Sequence, residues 1–149
     1  MALCSDMQRM FSISPRAAMK KYTWSAEIAK AINESLYRDD ERDLQNWADT
    51  IMAMKKYIRI HRIRAPLPKQ GICLYRRMAM PPDSLEVFRP GSKVLFPNFL
   101  STTRNQGSWI LNGEIIFVIH INSLVGVLCA DVADVSVYTS ESELSLIHI

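Results

Sequence analysis

The hydrophobic periodicity of the sequence changes near residue 65, and this change constrains the fold more than any other feature. Before it, apolar residues recur every three or four positions, as on the buried face of an amphipathic helix. The clearest such series is Leu44, Trp47, Ile51, Met54 and Ile58. The proline-rich segment Ala65–Gly71 ends the helical pattern, and short β-rich runs follow it. Helices followed by strands predict an α+β fold rather than a doubly wound sheet.

Local signals place the predicted elements more closely. Ser14 is a good helix N-cap, because Pro15 then occupies the first helical position. Asp39 or Asp40 would cap the helix that carries the long apolar series. A second apolar stripe, spaced by four, consists of Ile28, Ile32 and Leu36. The predicted strands are Ile72–Met78, Lys93–Phe96 with a continuation to Ser101, Glu114–Ile121, Val125–Ala130 and Glu141–Ile147.

The composition is that of one globular domain. Of the 149 residues, 48% are hydrophobic and 22% are charged, which is enough to bury a core. We expect a single domain over residues 1–149, helical over 1–65 and β-rich over 66–149. The longest wholly apolar run, 115–119, is far shorter than the ~20 residues of a membrane-spanning helix. Residues 1–6 lack the pattern of a secretory signal, so we expect no membrane partner, and a cytoplasmic location or signal-independent export.

Metal binding is not predicted from the cysteines and histidines. The three cysteines are far apart and form no CxxC pair, which also argues against a disulfide framework. The three histidines form no HExxH or other close pair. These residues are Cys4, Cys73, Cys129, His61, His120 and His148.

Charge is distributed unevenly along the chain. The formal net charge is +3, yet residues 1–70 hold 13 basic against 8 acidic residues. Basic and acidic side chains alternate there, as in 38–43, so a solvated helix face is favoured over a nucleic-acid surface. The stretch that could hold a polyanion consists of Arg59, Arg62, Arg64 and Lys69.

Two predicted strands carry residues that could bind an anionic or hydroxylated ligand. Arg76 lies among apolar residues in Ile72–Met78, where it must either face solvent or meet an anion. The segment Phe99–Thr103 ends in three consecutive hydroxyl residues, which could satisfy loop backbone groups or orient a carboxylate or a ribose hydroxyl. Neither motif distinguishes these alternatives by itself.

The last motif in the chain is a pair of acidic residues. Glu141 and Glu143 are two residues apart, so in a strand they project to the same side, about 7 Å apart along the chain. A solvated polar face is one interpretation. Chemistry at an anomeric carbon is the other, because one carboxylate can stabilise an oxocarbenium-like sugar while its neighbour activates a nucleophile.

Taken in order, these motifs resemble the mono-ADP-ribosyltransferase family with the arginine–serine–glutamate signature. Tyr75-Arg76 resembles the family's first-strand arginine, Phe99–Thr103 its aromatic-x-Ser-Thr-Ser/Thr strand, and Glu141–Glu143 its Glu-x-Glu. The segment Asp131–Ser140 resembles the loop that presents the target protein. The similarity extends to an early helix pattern in Tyr22, Thr23, Ile32, Asn33 and Leu36.

The resemblance implies helices packed on a two-sheet β core and a specific reaction. NAD, or NADP, is cleaved at the nicotinamide–ribose bond, and ADP-ribose passes to an arginine of a target protein, with NAD hydrolysis as a side activity. Arg76 would hold the phosphates and Ser101 would orient the catalytic carboxylate. Glu143 would stabilise the developing ribosyl cation, and Glu141 would engage the acceptor arginine. The protein would act as a monomer and without a metal.

Other residues enter the predicted cofactor site with less defined roles. Thr102 and Thr103 would support the pocket wall, Trp109 could stack on the cofactor or on its own loop, and Arg104 could add a phosphate contact. Arg77 stands where family members usually carry glycine, at a position whose backbone would contact the nicotinamide amide.

Two alternatives to an enzyme stay open. One is a non-catalytic relative that binds a nucleotide or a partner protein, and the other is a helical interaction module that ignores NAD. The sequence does not decide between an injected effector, a secreted toxin and an intracellular modifier. The sequence of residues 144–149 is also one that a common sequencing adapter would encode if translated. We therefore hypothesise that the reading frame is truncated and that the sheet lacks an edge strand.

Overall fold

Three helices precede a five-stranded antiparallel sheet. The computed structural model describes residues 13–107, 113–125, 127–136 and 143–148, the last range by its backbone alone. The helices are α1 (Pro15–Trp24), α2 (Ala26–Arg38) and α3 (Glu41–Ile60). The strands are β1 (Ile72–Met78), β2 (Leu100–Thr103), β3 (Ile115–Ile121), β4 (Val127–Asp131) and β5 (Glu143–His148), with a short 3-10 helix at Pro82–Val87.

Each helix begins after a polar N-cap residue, and the caps of α1 and α3 are among those that the sequence predicts. The Ser14 side chain accepts a hydrogen bond from the Ala17 amide, and Ser25 caps α2 in the same way. The Asp40 side chain accepts from two amides at the start of α3. Asp39, in contrast, adopts a left-handed conformation with φ of 53° and ends α2. Of the two predicted caps for α3, Asp40 is therefore the one that forms.

The sheet order is β3-β1-β2-β5-β4. Strands β3 and β1 pair over seven residues, and β5 pairs with β2 on one side and with β4 on the other. Strands β1 and β2 are joined by one pair, Tyr75 with Thr103. The sheet thus consists of two parts, β3-β1 and β2-β5-β4, that meet at a single residue pair.

One predicted strand is wrong. Residues 92–97 have no regular secondary structure, so Lys93–Phe96 is not a strand, although its predicted continuation leads into β2. The apolar residues of this region form an aromatic cluster instead. The Phe88 ring lies 6.1 Å from Phe96 and 5.0 Å from Phe117 of β3, measured between ring centroids. Phe96 therefore packs on β3 rather than extending the sheet, whereas Leu95 is exposed.

The hydrophobic core consists of two clusters, one on each face of the sheet. The larger cluster joins the helices to one face of the sheet, through buried residues such as Met19, Ile32, Met54 and Phe99. A smaller cluster on the other face comprises Leu74, Leu100, Ile121 and Cys129, packed against partly buried residues of the α3–β1 connection. Alternate β4 residues enter different clusters, as the two-residue period of a strand requires. Among the described residues, no helix is long and apolar enough to cross a membrane.

Candidate active site

The three sequence motifs lie on neighbouring strands. Strand β2, which carries the hydroxyl residues, lies between β1, which carries Arg76, and β5, which begins at Glu143. Thr103 pairs with Tyr75 on one side and with Glu143 on the other. Strand spacing makes this three-residue row about 10 Å wide. Segments separated by some 70 residues in the sequence thus meet at the middle of the sheet.

Arg76 has an incompletely satisfied guanidinium group. Its Nη1 donates a hydrogen bond to the Ser101 backbone carbonyl at 3.1 Å. Its Nε is buried and has no hydrogen-bond partner among the described residues. A buried donor without an acceptor is costly, and a guanidinium suits bidentate contact with phosphate or carboxylate. The arrangement therefore favours binding of an anion beside β2.

A cleft of about 480 Å³ opens between α2 and β2 beside Arg76. Its volume is within the range typical of small-molecule sites. Lys30 and Glu34 line the α2 side, and their charged groups are 3.8 Å apart. Tyr37 is 76% exposed at the cleft, so its ring is accessible to a flat ligand. The cleft is also lined by Tyr22, Asn33, Asn98 and Ser101.

Asn33 fixes the width of this cleft by tying α2 to β2. Its Oδ1 accepts a hydrogen bond from the Phe99 amide at 3.0 Å, and its Nδ2 donates to the Tyr22 hydroxyl at 2.8 Å. The Tyr22 and Phe99 rings meet edge to face, with centroids 5.7 Å apart. The Asn33 side chain thus connects α1 and α2 to Phe99, the residue directly before β2.

Replacing Asn33 with alanine is expected to lower the free energy of unfolding by about 1–3 kcal/mol, because the Phe99 amide loses its acceptor in a partly buried position. Urea denaturation of the two proteins measures this difference. Asn46, which is exposed on α3, provides the matched Asn-to-Ala control and should stay within about 0.5 kcal/mol of the parent. Equal stability of Asn33→Ala and Asn46→Ala would contradict a stabilising role for the hydrogen bond between Asn33 and the Phe99 amide.

Comparison with known proteins identifies the fold. No protein-family model matches the chain, and no curated protein matches it. The structure is similar to the crystal structure of the ADP-ribosyltransferase HopU1 of Pseudomonas syringae pv. Tomato DC3000, with a TM-score of 0.57 and 19% sequence identity. The fold is that of an ADP-ribosyltransferase. The match covers 81% of this chain and 55% of the other, so the chain spans about half the length of this neighbour.

This similarity confirms the predicted fold class, an α+β arrangement of the ADP-ribosyltransferase type. At 19% identity this similarity shows the fold alone. Among the described residues there is no group of three or more side chains placed to hold a metal ion.

Two predicted cofactor contacts lie away from the cleft in this ADP-ribosyltransferase fold. Neighbouring residues of a strand point to opposite faces, and Arg77 accordingly donates to the Gly113 carbonyl at 3.5 Å rather than lining the cleft. Arg104 is exposed and lines a separate depression of about 330 Å³ with Ile72 and Cys73.

The structure describes the remaining predicted site residues to different extents. Thr102 and Thr103 are buried in β2, and neither lines the cleft. Glu143 is described through its backbone pairing alone. Trp109 and Glu141 lie outside the described residues. Their predicted roles stay predictions.

Sequence reasoning assigned no role to the α2 side of the cleft. Tyr37 and Lys30 line it, yet neither belongs to a recognisable motif. A usable signal was present at Asn33, which is a polar residue directly after the buried Ile32 in an apolar stripe. A polar side chain at such a position usually has a specific hydrogen-bond partner.

A second, larger cleft lies at the basic cluster that the sequence indicated. Its volume is about 610 Å³, and Arg62 and Arg64 line it together with Leu67, Asn122 and Leu124. Neither Arg76 nor Ser101 lines this cleft. The smaller cleft is the better candidate for a reaction site, because the predicted arginine and serine both open into it.

Proposed function

We propose that the protein binds NAD in the cleft between α2 and β2, and that it transfers ADP-ribose to an arginine side chain of a target protein. The observation that carries this proposal is that Arg76 of β1 and Ser101 of β2 line one cleft, where the buried Nε of Arg76 has no acceptor among the described residues. Strand β5, which begins at Glu143, is paired beside β2. The ADP-ribosyltransferase fold is consistent with it. NAD hydrolysis would be the side reaction when water replaces the acceptor.

The charges around the cleft suit a dinucleotide. Arg76 is placed to contact the pyrophosphate, for which a planar guanidinium offers several donors. Lys30 lies across the cleft and could add positive charge to the phosphate site. The exposed ring of Tyr37 offers a stacking surface for the adenine base. Ser101 opens into the same cleft, where its hydroxyl could orient a carboxylate.

The proposed reaction breaks one glycosidic bond and forms another. The bond from the ribose C1′ to the nicotinamide nitrogen breaks, and neutral nicotinamide leaves with the electron pair. Glu143 stabilises the positive charge that develops on the ribose. The acceptor guanidinium is protonated in water and is a poor nucleophile. Glu141 would orient it and take up the proton that it loses as the new C1′–N bond forms.

Replacing Glu141 with alanine is expected to reduce ADP-ribose transfer by about 10²–10⁴-fold, the usual contribution of a positioned base. NAD hydrolysis should be largely preserved, because in the proposed reaction Glu141 acts on the acceptor arginine and is not needed when water is the acceptor. Transfer is measured as incorporation of labelled ADP-ribose into polyarginine, and hydrolysis as nicotinamide release. The matched control is Glu86→Ala, an exposed acid outside the cleft.

The outcomes separate the candidate functions. Equal loss of transfer and hydrolysis in Glu141→Ala would refute the separate roles of the two acids. Tight NAD binding by the parent protein without nicotinamide release would favour a non-catalytic nucleotide-binding domain. Absence of NAD binding would refute the proposal as a whole.

A further inference from the structure

The connection between α3 and β1 forms one wall of the larger cleft. Arg62 makes an isolated β-bridge with Ala130 of β4. The amide of the next residue, Ile63, donates a hydrogen bond to the Cys129 carbonyl at 2.8 Å. The chain is extended here, so residues two apart point to the same side. Ile63 packs on the smaller core cluster, whereas Arg62 and Arg64 are exposed and line the cleft.

The turn between β3 and β4 forms a second wall. It contributes Asn122, Ser123, Leu124 and Val125 to the lining of the cleft. The Ser123 hydroxyl accepts a hydrogen bond from the Val125 amide at 3.2 Å. Leu124 packs on the smaller core cluster, whereas Val125 is 89% exposed. The turn is therefore anchored in the core and presents an apolar side chain to solvent.

The depression that Arg104 lines adjoins the larger cleft. Its volume is about 330 Å³, and the two hollows share Ile63 and Leu67 as lining residues. Both shared residues pack on the smaller core cluster and are partly buried. The two depressions together form a basic groove, in which Arg62 and Arg64 line one part and Arg104 the other. Its arginines thus lie on either side of a shared apolar base.

The positive charge of the basic groove has no acidic counterpart in the part of the chain that the structure describes. No described acidic residue lines either depression. The ion pairs formed by the described residues involve none of Arg62, Arg64 and Arg104. A free guanidinium suits a carboxylate, which it can bind through two parallel hydrogen bonds. The groove is therefore complementary in charge to an acidic ligand.

The lining favours a peptide over other acidic ligands. Nucleic-acid strands are commonly held by aromatic side chains that stack on their bases, yet no described aromatic residue lines either depression. A small inorganic anion would leave the apolar surface of Leu67 and Val125 uncovered. A peptide supplies carboxylates and apolar side chains together, as protein interfaces with an apolar centre and a polar rim require.

We propose that the basic groove binds an acidic, partly apolar peptide segment of a partner protein. Carboxylates of the peptide pair with the three arginines, and its apolar side chains pack on Leu67 and Val125. The groove shares no described lining residue with the cleft between α2 and β2. The inference therefore does not depend on the proposed function.

The first experiment measures the binding of four labelled peptides to the full chain by fluorescence anisotropy. The parent peptide, of about a dozen residues, consists of glutamate and leucine. The other three replace glutamate with glutamine, glutamate with lysine, and leucine with serine. We expect the parent peptide to bind with a Kd at least about 10-fold lower than that of each of the others. Its Kd should rise with salt, because exposed charges are screened.

Charge reversal in the groove tests where the peptide binds. The double variant Arg62→Glu with Arg64→Glu should raise the Kd of the parent peptide at least about 10-fold, because like charges then face each other. The control is Arg42→Glu with Lys93→Glu, which makes the same charge change at two exposed positions that do not line the groove. Its Kd should stay within about 2-fold of the unmodified protein.

An uncharged variant tests the apolar part of the groove without reversing a charge. Val125→Ser should raise the Kd of the parent peptide about 3-fold or more, because apolar contact area is lost. Val118→Ser on β3 is the matched control, since Val118 is also exposed and does not line the groove. Thermal unfolding of each variant shows whether it is folded.

Several results would overturn the proposal. These are no binding of the parent peptide, equal binding of all four peptides, and equal affinities of the charge-reversal variant and its control. Tighter binding of a deoxythymidine oligonucleotide or of phosphatidylserine vesicles would assign the groove to another class of partner. Saturating NAD should leave the Kd of the peptide unchanged, and displacement of the peptide by NAD would place it in the other cleft.

Discussion

Replacing Glu143 with glutamine is expected to lower nicotinamide release from NAD by about 10²–10³-fold. Glutamine keeps the shape of the side chain but removes the negative charge that would stabilise the ribosyl cation. Such preorganised groups contribute about 3–4 kcal/mol to the transition state, and each 1.4 kcal/mol corresponds to a factor of ten in rate. The measurement is the initial rate of nicotinamide release at saturating NAD.

The control for this prediction is Glu86→Gln, the same chemical change at an exposed position outside the cleft. It should retain the parent rate. Thermal unfolding of all three proteins shows whether Glu143→Gln is folded. A folded Glu143→Gln protein that releases nicotinamide at the parent rate would exclude Glu143 as the group that stabilises the cation.

Replacing Arg76 with lysine is expected to raise the Kd for NAD at least 10-fold, although the positive charge is kept. Lysine has one nitrogen instead of a planar fork of three, so it cannot contact the Ser101 carbonyl and a phosphate through two separate nitrogens. A hydrogen bond to a charged group typically contributes about 1.5–3 kcal/mol. Isothermal titration calorimetry measures the Kd.

Arg89→Lys is the matched control, because Arg89 is exposed and pairs with Glu86 away from the cleft. Its Kd should equal that of the parent. The role of Arg76 would be refuted if Arg76→Lys and Arg89→Lys bound NAD equally well. Circular dichroism of both variants tests that the secondary structure is preserved.

Local sequence signals predicted most of the helices and strands. The apolar stripes of α2 and α3 and the caps Ser14 and Asp40 specify the helices within a few residues of the chain. Prediction failed at Lys93–Phe96 because a short apolar run has the same appearance in a strand and in a loop that covers a sheet. Its outcome was decided by contact of Phe96 with Phe117, which is more than 20 residues away.

The sequence predicted only one side of the candidate site. The order of the motifs indicated that Arg76 and Ser101 act together, and both residues line one cleft. On the opposite wall, Tyr37 could not be predicted, because it reaches the cleft through the position of α2 beside β2 rather than through any motif. The Asp134 carboxylate likewise accepts hydrogen bonds from Arg16 and Tyr57, each more than 70 positions away in the sequence.

Hydrogen exchange in the presence and absence of saturating NAD tests most directly which cleft the dinucleotide occupies. We predict protection in α2 and in residues 98–103, with none in 62–67 or 122–125, which line the larger cleft. Protection confined to the larger cleft, or no protection anywhere at saturating NAD, would contradict the assignment of the Arg76 cleft as the NAD site.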